Sequence, residues 1–317
     1  MNEHNTTAIL TSNWTRTTFF DDFSPLEISL LFLSVIIAVL GTIGNGIVLY
    51  FLSFKIKRNK FIVYILNLAV ADLLFLLCVI AAVLLSLPRN GIHLIYVKII
   101  AFSHRLAYNT GLYLLTAISL ERCLSILYPL WYHFKRPKHQ SAIVCTILWT
   151  LSSLVTGIES FLCLPLKWYL LCLKSVFLST GVITFLFFTP LMVLSSMTLL
   201  IKIQRTSQHR HPPKLYLVIM VTVLIFLIFA LPFKLLLTIM YICYIHLPNR
   251  LMFSALLFSV ISSTANPFVY FLIGSSGKQR GRASIKVALQ RVFIYEKDEE
   301  MTLNSNRANT NVLSFNV

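Results

Sequence analysis

The sequence predicts an all-α membrane protein: a seven-transmembrane helix bundle with a short amphipathic cytoplasmic helix after the seventh span. Composition is the first observation that predicts it. Of 317 residues, 57% are hydrophobic and 12% charged, and mean hydropathy is +0.79, whereas a soluble globule carries about 25% charged residues to cover its surface. The second is length: seven apolar stretches each reach the roughly 20 helical residues that cross a hydrocarbon core. They are rich in Leu, Ile, Phe and Val without the strict alternation of a barrel strand, so helices are the spanning structure. The third is that the basic residues recur in clusters after alternate spans.

Residues 1–27 form an N-terminal tail with two glycosylation sequons, Asn5-Thr6-Thr7 and Asn13-Trp14-Thr15. No short apolar segment there precedes a small-residue cleavage site, so no removable signal peptide is read and the first span serves as signal anchor. The spans are read at residues 28–54, 61–87, 94–127, 140–163, 175–203, 214–243 and 251–273. Each carries a polar or helix-breaking residue where plain apolar sequence would suffice. In chain order these are Asn45, Asp72, Glu121-Arg122-Cys123, Trp149, Pro190, Pro232, and Asn266 with Pro267 and Tyr270. Arg122 is the most informative, because a guanidinium at a membrane boundary is costly and reads by default as functional. Pro212-Pro213 reads as a start signal for the sixth helix.

Residues 28–274 make one domain without internal repeats, and an odd number of unlike spans argues against a secondary transporter. In residues 275–295, Ile285, Ala288, Leu289, Val292 and Phe293 recur at helical spacing between basic residues, the pattern of an amphipathic helix on an anionic inner leaflet. No cysteine follows Cys243, which excludes a palmitoyl anchor on that helix. Residues 296–317 are polar and read as a disordered tail.

The formal charge of +16 raises nucleic acid as a partner, and its distribution removes it. Lys55 to Lys60, Lys135 to Lys138, Lys202 to Lys214 and Lys278 to Arg291 all fall on one side, whereas Glu3, Asp21, Asp22 and Glu27 fall on the other. By the positive-inside rule the clusters are cytoplasmic and the N-terminus is extracellular. Both sequons lie on that same outer side. No His-Glu-x-x-His and no Gly-x-Ser-x-Gly is present, so a membrane-embedded hydrolase has no machinery, and no cofactor or metal is expected. Cys78, Cys123, Cys145 and Cys243 sit inside or at the inner ends of spans and read as buried thiols. Cys163 and Cys172 flank the fourth-to-fifth connection on the oxidising side, where a disulfide persists if their Cα separation permits.

Leu68-Ala69-Val70-Ala71-Asp72, Glu121-Arg122-Cys123 and Asn266-Pro267-Phe268-Val269-Tyr270 together resemble the rhodopsin-like G-protein-coupled receptors. The run from Tyr108 to Cys123, then Leu127-Tyr128-Pro129-Leu130-Trp131-Tyr132 and Arg136-Pro137-Lys138, resembles Mas and the Mas-related receptors. So do Lys214-Leu215-Tyr216, Phe229-Ala230-Leu231-Pro232 and Gly274-Ser275-Ser276. The resemblance covers residues 28–295.

It implies a plasma-membrane receptor that senses an extracellular peptide or small amphiphilic ligand and activates heterotrimeric G proteins. Arrestin and receptor kinases are further implied partners, and a role in sensory neurons is implied at family level. The competing class is a seven-span transporter or channel without G-protein coupling. In the superfamily the arginine matching Arg122 is held inactive by its acidic neighbour, here Glu121, until the sixth helix swings outward. Glu121, Arg122, Cys123, Pro129, Leu130, Phe226, Pro232, Asn266, Pro267 and Tyr270 are the implied coupling and switch residues, and Asn45, Asp72 and Asn266 the polar core.

This chain departs from the pattern at several places. Cys123 replaces a Tyr, Pro212 stands where an acid can clamp Arg122, Ala230 stands where most relatives have Trp, and Thr198 where many have Tyr. Asp72 resembles the sodium-site acid, but Gly111 replaces a common Ser ligand; the alternative is a neutral Asp72 hydrogen-bonded to Asn266. Val97 sits where most of the superfamily has a Cys, and Mas-related receptors bridge the fourth-to-fifth region instead, which fits Cys163 and Cys172. His104 lies 18 residues before Arg122, five helical turns and about 27 Å along one face. It occupies the position where amine receptors place Asp. The ligand pocket is read at His104, Arg105, Tyr108, Glu159, Lys234 and Tyr241, and Glu159 alone supplies an acid in the outer half of the spans.

Overall fold

The computed structural model describes residues 23–56, 59–86, 94–128, 131–137, 139–162, 181, 183–207, 214–242, 248–275 and 285–293. Within them the chain forms seven helices long and apolar enough to cross a membrane, and an eighth, short one. We number them α1 Pro25–Phe54, α2 Ile62–Ser86, α3 Leu94–Leu127 and α4 Gln140–Leu162. A single π-helical turn, Trp131–Lys135, lies between α3 and α4. α5 runs from a π-helical stretch Ile183–Phe188 into Thr189–Ser207. α6 comprises Lys214–Ile225, π-helical Phe226–Ala230 and Leu231–Ile242. α7 is Asn249–Ser275 and α8 is Ile285–Phe293.

α1 starts three residues before the reading from hydropathy, because Ser24-Pro25-Leu26-Glu27 builds a capping box. The Ser24 amide donates to Glu27 Oε2 at 2.8 Å, the Glu27 amide donates back to Ser24 Oγ at 3.5 Å, and Pro25 begins the helix where a missing N–H matters least. Along α1 the exposed side chains are large and apolar, Phe32, Ile36, Leu40 and Ile43. The buried ones include the small or polar Ser34, Ala38, Gly41 and Asn45. That inversion is how helices pack in lipid, where close backbone approach replaces the hydrophobic drive.

α1 meets α7 through these small residues. A Cβ on Gly41 would collide with Thr264 Oγ1, and one on Gly44 would come 2.9 Å from Pro267 Cγ. Pro267 has no N–H to give the Ser263 carbonyl four residues back. Asn45 Nδ2 satisfies that carbonyl at 3.3 Å, and also bonds the Gly41 carbonyl at 3.0 Å. α3 is the central post, packed on α2, α4, α5 and α6. Trp149 Nε1 donates to Asn67 Oδ1 at 3.0 Å, tying α4 to α2, and the Ser119 hydroxyl lies 2.7 Å from that of Ser195, tying α3 to α5.

The π-helical stretches of α5 and α6 each precede a proline, Pro190 and Pro232. In α6 the Leu231 amide reaches the Phe226 carbonyl, an i to i−5 bond one residue before Pro232. The widened register relieves the clash and the lost donor that Pro imposes on a regular α-helix. The flexure expected at Pro232 thus begins in the turn before it.

α8 corrects one expectation. The sequence places its apolar stripe on the inner leaflet, whereas Ala288, Leu289 and Val292 are buried in the protein. Gly274 makes this happen: a Cβ there would strike the Ala288 carbonyl oxygen, so only glycine lets α8 lie directly on the end of α7. Ile285 stays exposed.

Candidate functional site

The site is assembled at the cytoplasmic end of α3 and continues upward through the bundle. Glu121 and Arg122 are consecutive, so their side chains leave the helix about 100° apart and do not face each other. Arg122 is 1% exposed. Its guanidinium lies 3.8 Å from the ring centroid of Phe61 and 5.9 Å from that of Tyr216 at the start of α6. Arginine suits such a position, being weakly hydrated and able to stack on aromatic faces.

Glu121 turns the other way. Arg136, from the second cytoplasmic connection, forms a buried ion pair with it, and the Tyr64 hydroxyl donates to its Oε2 at 3.4 Å. Arg136 Nη2 donates to Ser141 Oγ at 2.7 Å, and its guanidinium sits 4.8 Å from the Tyr132 ring. The partner implied for Glu121 by resemblance was Arg122; the pair that forms is Glu121 with Arg136, because neighbouring positions on one helix diverge. A further basic tie joins α6 to α7, where Lys214 Nζ donates to the Gly274 carbonyl at 3.4 Å. Burial, and after it the charge of Arg291, lowers the Lys214 pKa from its ordinary value.

Midway up, Asn266 Nδ2 donates to Asp72 Oδ2 at 2.7 Å. Both line a narrow cavity together with Tyr108, Gly111, Phe226, Ala230 and Ser259. Ala230 leaves open the space a larger side chain would fill. A Cβ on Gly111 would meet only Asp72 Oδ1, at 3.9 Å. Tyr270 is buried nearby in the main core, while Thr198 is half-buried and returns its hydroxyl to the Leu194 carbonyl at 2.8 Å.

In the outer half, Lys234 Nζ donates to Asn109 Oδ1 at 3.2 Å and lies 4.3 Å from the Tyr108 ring centroid. Asn109 Nδ2 passes the contact on to Thr156 Oγ1 at 3.4 Å. Arg105 Nη2 donates to Ser160 Oγ at 3.2 Å, so it points at α4. The His104 ring stacks beside Phe75, with centroids 4.8 Å apart. Tyr108 and Lys234 are therefore brought together, His104 stands one turn above Tyr108, and Arg105 occupies the neighbouring face.

The family model for 7 transmembrane receptors of the rhodopsin family matches residues 44–270. Proto-oncogene Mas of Rattus norvegicus is 44% identical over 294 residues, covering 88% of this chain and 86% of that protein. Mas of Homo sapiens is 45% identical over 269 residues, 83% and 82% of the two chains. Mas-related G-protein coupled receptor member H of Rattus norvegicus is 44% identical over 269 residues, 82% of each.

The chain belongs to the Mas-related rhodopsin-family receptors.

It is a multi-pass membrane receptor, not an enzyme. Several of the receptor's implied positions lie outside the described residues: the glycosylation sites Asn5 and Asn13, the pair Cys163 and Cys172, Pro129 and Leu130, and Pro212. The backbones of Glu159 and Tyr241 are described, within α4 and α6, but their side chains are not. Cys78, Cys123 and Cys145 are free thiols. Sequence reasoning missed Asn109 and Ser160 as partners of the two outer cations, Thr156 as the partner of Asn109, and Phe61 as the platform for Arg122. Arg136 was legible only as part of an orienting basic cluster. Nothing local marks it as the residue that reaches Glu121.

Proposed function

We propose that the receptor senses an extracellular peptide or small amphiphilic ligand bearing an anionic group, and activates heterotrimeric G proteins through the cytoplasmic end of α3. One observation supports the coupling step above others: a fully buried Arg122 held on Phe61, at the start of α2, and near Tyr216 of α6, the second of which an outward movement of α6 would draw away. Agonist affinity that differs between two packings of α6 shifts their populations. The Glu121–Arg136 pair holds the resting packing in place of a clamp from α6.

The ligand class follows from charge. Arg105 on α3 and Lys234 on α6 place two cations in the outer half of the bundle, with Glu159 on α4 as the acid at their level. However these three pair, one positive charge is in excess, and buried charge of one sign selects the opposite sign in a ligand. The N-terminal tail is then extracellular and glycosylated, residues 296–317 cytoplasmic, and arrestin and receptor kinases further partners. A G-protein dissociation panel in transfected cells, challenged with peptide and metabolite libraries, tests this reading. The expected result is a response to anionic ligands that Arg122→Ala abolishes at equal surface expression. Responses confined to cationic amines would overturn the ligand class.

A further inference from the structure

Where α1, α7 and α8 meet, the bundle carries a cleft of about 190 Å³, lined only by apolar residues and glycine. Gly44 and Val48 form one wall, Phe268 and Phe271 the second, Ile285 and Leu289 the third. Phe268, Phe271 and Ile285 are exposed, so the cleft opens outward. Its first two walls belong to membrane spans. The medium at its mouth is hydrocarbon, so it fills with an apolar chain and not with water.

Its cytoplasmic rim is basic. Lys55 caps the end of α1 and is exposed, about two turns below Val48. Lys286 follows Ile285 by one position, about 100° around α8 on the side of Leu289, and is also exposed. Neither stretch offsets this charge: residues 275–295 contain no acid, and none lies between Lys55 and Lys60. Residues 275–295 contain no cysteine, so α8 itself carries no site for a thioester-linked acyl chain that could lie in the cleft.

We propose that the cleft between α1, α7 and α8 holds one acyl chain of an anionic phospholipid of the cytoplasmic leaflet, with its headgroup against Lys55 and Lys286. Anionic headgroups are held by juxtamembrane lysines, and each buried methylene adds to the affinity. The bound lipid completes the packing of α8 on the end of α7, next to the Gly274 carbonyl that receives Lys214.

The test is native mass spectrometry of the full-length receptor, purified after equilibration with vesicles of phosphatidylserine, phosphatidylcholine and cholesterol. Wild type is expected to retain one phosphatidylserine in preference to the other lipids. Ile285→Trp, whose indole occupies the cleft, is expected to lose it. Val287→Trp, on the opposite side of α8, is expected to keep it. Lys286→Glu, a surface change that leaves the fold intact, is expected to reduce the preference for phosphatidylserine over phosphatidylcholine at least about fivefold, the worth of one lysine near an anionic surface. Equal retention by Ile285→Trp and wild type, an unchanged preference in Lys286→Glu, cholesterol retained in place of phospholipid, or a dimer closed across Ile285 would each overturn the proposal.

Discussion

At the cytoplasmic end of α3 a carboxylate, Glu121, is matched by a cation brought to it from another segment, Arg136. At the outer end Arg105 bonds a serine hydroxyl, and Lys234 bonds the Asn109 amide and lies on the Tyr108 ring. The difference separates a lock from a receptor surface. The inner contact joins two opposite full charges, whereas each outer contact joins a charge to a dipole, so the inner pair resists exchange more. Arg105 stands to gain when a ligand carboxylate replaces the Ser160 hydroxyl.

The largest effect tests the lock. Arg136→Gln leaves Glu121 buried without its cation, which destabilises a packed state by about 3–5 kcal/mol. Melting of the purified receptor is expected to fall and basal G-protein activation to rise. Glu121→Gln alone is expected to raise basal activation less, and the double variant to show strong non-additivity in a double-mutant cycle. Additive effects would mean that the pair is not a functional unit.

Gly274→Ala sharpens the inner half of the comparison further. Its Cβ meets backbone, not a flexible side chain, so overpacking of about 1–3 kcal/mol is expected. A lowered melting temperature and faster hydrogen exchange across residues 285–293 would report α8 lifting from α7.

At the outer end the effect is on ligand potency. Lys234→Gln keeps a donor for Asn109 and removes the charge, so potency of an anionic agonist is expected to fall about 5- to 150-fold, the usual range of a site's coupling. Stability is expected to change little. Equal loss for a neutral agonist would assign Lys234 to packing instead.

The smallest effect lies between the two ends. Gly111→Ser puts its side chain into open space beside Asp72, so stability is expected to move by less than about 1 kcal/mol. If the added hydroxyl completes a cation site, sodium raises the melting temperature of the variant and not that of wild type.

Much of the fold was legible because lipid imposes long apolar helices and an asymmetry of charge. The seven spans, their polar residues and the family resemblance all follow from local sequence. Helix starts set by capping, as at Ser24, were less legible, since hydropathy says nothing about a box of four residues. The direction of α8's apolar face was read outward, because periodicity cannot tell lipid from protein; the missing Cβ of Gly274 decides it. At the site, Arg122, Asp72 and Asn266 stood out as polar residues in apolar runs. Arg136 did not, since its role depends on where a connecting segment folds back. Asn109, Thr156 and Ser160 are small and polar in helices already rich in such residues, and only their juxtaposition gives them meaning.

The central claim is that Arg122 activates a G protein when the packing held by Glu121 and Arg136 is released. Nucleotide exchange on purified heterotrimers, measured with the receptor in nanodiscs and without agonist, tests it directly. Arg136→Gln is expected to accelerate exchange over wild type, and adding Arg122→Ala to return it to the uncatalysed rate. No acceleration on any Gα, or acceleration that survives Arg122→Ala, would contradict the account.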